Sequence, residues 1–148
     1  MPEFSTSIEI AAPPEIVFAH LVTPERMVTW MGERADLDPV PGGTFEIDVN
    51  GVPFRGNYLA VDPPHRVVLS WGMVGSEDLP PGASQVEFTL TPSGAGTTLH
   101  LVHTGLPESR AANHRAGWSH YLGRLRLAAG GVDPGIDTFT PPQRITPR

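Results

Sequence analysis

Two histidines are the side chains best placed to do chemistry. His103 closes the run Leu99-His100-Leu101-Val102-His103, whose odd members share one face of a strand. His114 stands four residues before Trp118, which puts both on one side of a helix. A neutral imidazole in a shielded space donates to a ligand carbonyl or acts as general acid or base. The alternative is that both rings are structural, with His103 fixing the strand-to-helix turn. His100 and His103 fall on opposite strand faces, and His114 and His120 do not share a helix face, so no metal site is expected. No Gly-rich phosphate loop, G-x-S-x-G, H-E-x-x-H or Ser/His/Asp arrangement is present, and no cofactor is expected. Glu46, Asp48 and Glu87 alternate outward on their strands, so the chain lacks an inward acid pair.

Around the histidines, Trp30, Phe45, Trp71, Met73, Trp118, Tyr121 and Leu122 are the candidate apolar lining of a pocket. Plain core is the competing reading. Each indole and the phenol carries one polar atom that needs a partner when buried. Arg55 and Asn57 share parity with Leu59 and Val61, whereas Phe54 and Tyr58 have the opposite parity. If the first set faces inward, Arg55 anchors a ligand carboxylate; if outward, it is solvated surface.

These residues need a sheet and a helix to position them. Residues 5–10 alternate as a strand, and Ala12-Pro13-Pro14 ends it. Two short helices follow: 15–22, with Val17 and Leu21 and the neighbouring Ile16 and Phe18 buried, and a second from Thr23-Pro24-Glu25 to Trp30. Strands are expected at 34–40, 44–49, 54–61, 67–73, 86–90 and 98–103, with turns at Pro41-Gly42-Gly43, Asn50-Gly51, Asp62-Pro63-Pro64 and Ser93-Gly94-Ala95-Gly96. The 75–82 loop is polar and a candidate lid. Pro107 opens and Gly130-Gly131 closes a long helix, along which Ala111, His114, Trp118, Tyr121, Leu122, Leu125 and Ala129 form one stripe. Consecutive hairpins imply an antiparallel sheet, and only this helix is large enough to cover its inner face. The expected fold is α+β: about seven curved strands around one C-terminal helix, with a single domain at 1–131 and a surface tail at 132–148.

The length of 148 residues suits one domain that holds together without a metal or disulfide. There is no cysteine, which excludes thiol nucleophiles and zinc–thiolate sites. The net charge of −6 argues against nucleic acid. The carboxylates crowd the first 90 residues and the arginine excess lies on the last helix, read as a solvated outer face. No apolar run has membrane-spanning length, and no signal peptide is seen at Met1-Pro2-Glu3-Phe4. A cytoplasmic protein with no membrane partner is the expectation.

Several pieces occur in a familiar order: Ala12-Pro13-Pro14-Glu15-Ile16-Val17-Phe18; Thr23-Pro24-Glu25 and Trp30; Pro41-Gly42-Gly43; Gly56; Asp62-Pro63-Pro64; Ser70-Trp71; His103-Thr104-Gly105-Leu106; and residues 117–125. In that order they resemble the START/Bet v1-like helix-grip superfamily (SRPBCC). Within it the chain is similar to the family of the Hsp90 ATPase activator's C-terminal domain (AHSA1-like). The resemblance implies a sheet gripping a helix around a pocket, often for an apolar small molecule, and does not imply one function. The first expectation is binding of an apolar or aromatic small molecule by Trp30, Phe45, Arg55, Trp71, Met73, His103, His114, Trp118, Tyr121 and Leu122. The alternatives are a cyclase- or hydrolase-type enzyme using His103 or His114, a chaperone-related interaction module, and a stress-response role. Hsp90 itself is not an expected partner, because the activator carries a further N-terminal domain. Exposed strands or the short helices leave room for a homodimer.

Overall fold

A computed structural model describes residues 3–139. The elements run β1 (Glu3–Ile10), α1 (Pro14–Val22), α2 (Pro24–Met27), β2 (Arg34–Leu37), β3 (Thr44–Val49), β4 (Val52–Asp62), β5 (Arg66–Met73), β6 (Ser84–Ser93), β7 (Gly96–Thr104) and α3 (Glu108–Ala129). The seven strands form one antiparallel, curved sheet in the order β1-β7-β6-β5-β4-β3-β2. Five of the six neighbour pairs are consecutive in the chain; β1 alone crosses to pair with β7. Among the described residues no helix is long and apolar enough to cross a membrane.

The strand alternation is realised where it is cleanest. Phe45, Ile47 and Val49 of β3 point into the core, as do Val86, Phe88 and Leu90 of β6 and Leu99, Leu101 and His103 of β7. The Asn50-Gly51 hairpin forms with both residues at positive φ (52° and 80°), and the Glu33 carboxylate accepts both of their N–H groups at 2.8 Å.

The ambiguous parity of β4 has a structural cause. Its register to β5 shifts between Tyr58 and Ala60, a bulge centred on exposed Leu59. A bulge inserts one residue on one side of a ladder, so parity reverses across it. Tyr58 before the bulge and Val61 after it therefore both pack on the core. Arg55 lies on the outer face, where Nη1 is 2.9 Å from Asp48 and donates to Phe54 O. The expectation that Arg55 reaches the cavity is corrected.

Other expectations shift in detail. In α1, Ile16 is exposed and His20 is buried in its place, with Nδ1 2.8 Å from Ile16 O. Helix α3 starts one residue later than expected, because Pro107 is extended and serves as the N-cap. The 75–82 loop is not a free polar flap. Leu79 is fully buried, Met73 N–H donates to Leu79 O at 2.8 Å, and Pro80 O lies where a Cβ on Gly72 would be, 1.8 Å away. Only glycine lets the loop lie that close on β5.

Helix α3 ends in a Schellman motif. Gly131 is left-handed (φ 87°), its N–H donates to Ala128 O, and Val132 N–H donates to Leu127 O. The motif turns the chain back along the helix, so residues 132–139 retrace α3 as far as Gly117. The first part of the expected surface tail thus runs along the helix, with Asp137 and Phe139 half-buried and Val132, Asp133, Gly135, Ile136 and Thr138 exposed; residues 140–148 lie outside the described residues.

Candidate ligand cavity between the sheet and the long helix

A cavity of about 390 Å³ opens between the sheet and α3. The sheet side is Val49, Asn50, Val52, Phe54, Trp71 and Met73, with Met31 at its edge; the tail adds Phe139. The helix side is Arg110, Asn113, His114, Gly117, Trp118 and Tyr121, one stripe at helical spacing. Gly117 makes room at the middle of that stripe: a Cβ there meets only the Phe139 ring, at 4.0 Å.

Behind the cavity wall the two tryptophans and two histidines form one chain of hydrogen bonds. Trp71 Nε1–H donates to His114 Nε2 at 3.0 Å, and Trp118 Nε1–H donates to His103 Nδ1 at 3.0 Å. An indole can only donate, so both receiving nitrogens are unprotonated. His114 Nδ1–H must then donate to Arg110 O, 3.2 Å away. His103 Nε2–H must donate to Ser84 Oγ at 2.8 Å, while the Ser84 hydroxyl donates to Trp71 O at 2.8 Å. Every nitrogen of both imidazoles is occupied.

Burial holds both rings neutral. The His103 pKa falls to about 3, through loss of water and then the neighbouring His114. The His114 pKa falls to about 4, also chiefly through burial, against the raising effect of its bond to Arg110 O. Neither ring offers a free lone pair to a reacting atom. In this arrangement both rings serve as hydrogen-bond links between the sheet and α3, and His114 also borders the cavity.

Of the side chains expected to line a pocket, Trp71, Met73, His114, Trp118 and Tyr121 do so. Trp30, Phe45, His103 and Leu122 do not border this cavity; each is at most 1% exposed, and Leu122 borders instead a second hollow between β1 and α3. Trp30 Nε1–H donates to His20 O at 2.9 Å, and Phe45 packs edge-on against Tyr58. Sequence reasoning missed Met31, Val49, Asn50, Val52, Phe54, Arg110, Asn113, Gly117 and Phe139. The helical members had a signal: Arg110, Asn113 and Gly117 continue the His114–Trp118–Tyr121 stripe. Phe139 had none.

The polar groups gather at the two ends. At one, the Tyr121 hydroxyl donates to Asp137 Oδ2 at 2.5 Å, and the Asn50 amide reaches it at 3.5 Å. Burial and then the adjacent Asp137 push the Tyr121 pKa upward. Burial works against the Asp137 charge, but bonds from Tyr121, the Phe139 N–H and His120 outweigh it and keep its pKa below the usual carboxylate value. Through Asp137 the tail is fastened over Tyr121. Asp137→Ala is expected to cost about 1–3 kcal/mol in urea unfolding, since it removes the acceptor of a half-buried network.

At the other end, Asp78 accepts from Ser109 Oγ at 2.6 Å, Ser76 Oγ at 2.7 Å and Arg110 Nε at 3.0 Å. These bonds, led by that from Ser109, hold its pKa well below the carboxylate range. They tie the 75–82 loop to α3, so that loop is a poor lid.

A curved antiparallel sheet gripping one long helix, with an apolar cavity between them, defines a helix-grip protein. The profile described as Activator of Hsp90 ATPase homolog 1-like protein matches residues 11–130, and the chain belongs to that family. It is 44% identical to the AHSA1-like protein of Rhizobium etli, covering 99% of this chain and 94% of that one, with a TM-score of 0.72. It is 26% identical to DynU16, a protein of the dynemicin biosynthetic locus (TM-score 0.75), covering 89% of this chain and 49% of DynU16. The Aha1 dimer of Colwellia psychrerythraea shares the fold at 21% identity, covering 88% of this chain and 99% of that one, with a TM-score of 0.78. No functionally curated protein matches the chain.

Proposed function

We propose that this protein binds an apolar, aromatic-bearing small molecule in the cavity between the sheet and α3. One observation carries the reading: both indole N–H groups of the wall are satisfied by histidines, so Trp71 and Trp118 present their rings to the cavity and little else. About 390 Å³ of largely apolar space falls within the range of small-molecule sites. The same hydrogen bonds count against His103 or His114 as acid or base. The likeness to DynU16, a protein of a biosynthetic locus, fits a small-molecule ligand.

The test is Gly117→Leu. A helical side chain leans toward the preceding turn, here the Asn113–His114 side, so leucine fills the cavity beside His114 while the partners of both histidines stay in place. The change also removes a mid-helix glycine, a gain in helix propensity somewhat below the roughly 0.8–1 kcal/mol that separates glycine from alanine. The melting temperature should hold or rise, while binding of N-phenyl-1-naphthylamine, read by its fluorescence, should weaken about tenfold or more, a difference of about 1.4 kcal/mol. A well-folded variant that binds the probe as the parent does would refute the reading. Native mass spectrometry of the purified protein would reveal any small molecule carried from the cell.

A further inference from the structure

The cavity's polar atoms can be accounted for one by one. Trp71, Trp118 and both nitrogens of His114 are occupied within the wall. The single proton of Tyr121 goes to Asp137, so its oxygen is only an acceptor, and the Asn50 amide beside it, which also borders the cavity, donates to that oxygen at 3.5 Å. At the N-terminal end of α3 the balance is reversed. Asp78 holds Arg110 through Nε. Among the described residues Nη1 makes no hydrogen bond, and Nη2 has only a 3.5 Å contact to Ser76 Oγ. The Asn113 side chain, one turn on along the same stripe, makes none among the described residues. Both residues border the cavity.

Given a ligand in this cavity, as proposed above, we infer that it is an aromatic carboxylate whose acid group is received by Arg110 and Asn113. A planar two-oxygen group matches the two Nη donors of a guanidinium, and the Asn113 amide supplies a third donor. Asp78 offsets part of the arginine charge, which disfavours a dianion such as a phosphate monoester. At the opposite end the Asp137 carboxylate behind Tyr121 repels an anion, and the Asn50 amide there carries no charge to offset it, so the acid group is placed at the Arg110 end. Its body lies among rings: Trp71 is 4.6 Å from Phe54 and 5.3 Å from Trp118, centroid to centroid, both tilted. Such walls favour a flat aromatic system over a flexible chain.

The experiment compares 2-naphthoate with methyl 2-naphthoate, each displacing N-phenyl-1-naphthylamine from the full-length protein. The acid is expected to bind at least tenfold more tightly than its ester. Arg110→Gln and, separately, Asn113→Leu should bring the acid-to-ester ratio toward one. The asparagine variant guards against the chance that Arg110→Gln loosens the loop tied to it through Asp78. Equal affinities in the parent protein, or an unchanged ratio in both variants, would overturn the carboxylate assignment and leave cavity binding standing. Failure of all three compounds to bind would overturn both.

Discussion

Trp118→Ala is expected to lower the free energy of unfolding by about 3–5 kcal/mol, the range for deleting a large buried aromatic side chain. The residue is 3% exposed and packs against Trp71, Phe88 and His103. The substitution also strips His103 Nδ1 of its donor, an added penalty of up to about 1–3 kcal/mol that water entering from the adjoining cavity reduces. Trp118→Phe separates the two contributions: it keeps most of the packing and loses the hydrogen bond. Urea unfolding at pH 7 measures both variants. A loss below about 1 kcal/mol for the alanine variant would mean that Trp118 is not the buried link between helix and sheet. The same argument makes Trp118→Ala a poor probe of ligand binding, because it perturbs the fold and the cavity together; Gly117→Leu removes no hydrogen bond and adds bulk only at the cavity, beside His114 and Phe139.

The second large effect is acid sensitivity. His103 and His114 titrate at about 3 and about 4 in the folded protein, against about 6.5 for a free histidine. Between those values the unfolded chain binds the protons and the folded one does not. Stability contributed by the two neutral rings is therefore complete above pH 6.5. It falls as the pH drops toward 4 and 3, and the histidine contribution levels off below that. From pH 7 to pH 5, mostly above the carboxylate range, each histidine should remove about 2 kcal/mol. His20, whose pKa burial also lowers, acts in the same direction. For a domain stable by about 5–15 kcal/mol the combined loss is large. The check is a series of urea melts between pH 7 and 5, comparing the parent protein with His103→Gln. The variant should be weaker at pH 7 but show a shallower pH slope, by up to about 1.4 kcal/mol per pH unit. An identical slope would mean that His103 is not held neutral in the fold.

The element order, the antiparallel sheet and the long helix were legible because their signals are local. Phe45-Ile47-Val49 alternates within six residues, Asn50-Gly51 carries its own turn, and the stripe from His114 to Ala129 repeats at helical spacing. These patterns report how each segment meets an apolar surface, and neighbours in sequence suffice to show them. The parity of β4 was not legible, since a bulge is defined by the partner strand and not by the strand itself.

The chemistry of the site depended on partners far apart in the chain. Trp71 meets His114 across 43 residues, and Ser84 meets His103 across 19. Residue types alone showed two histidines and three tryptophans facing a common interior. Whether the imidazoles were free for catalysis or occupied as acceptors and donors was decided by side-chain geometry at about 3 Å. The return of the tail to place Phe139 beside Gly117 was likewise decided by the Schellman turn and the hold of Asp137 on Tyr121. Hydrophobic periodicity determines which face of an element is buried; hydrogen-bond partners are assigned only when the faces have met.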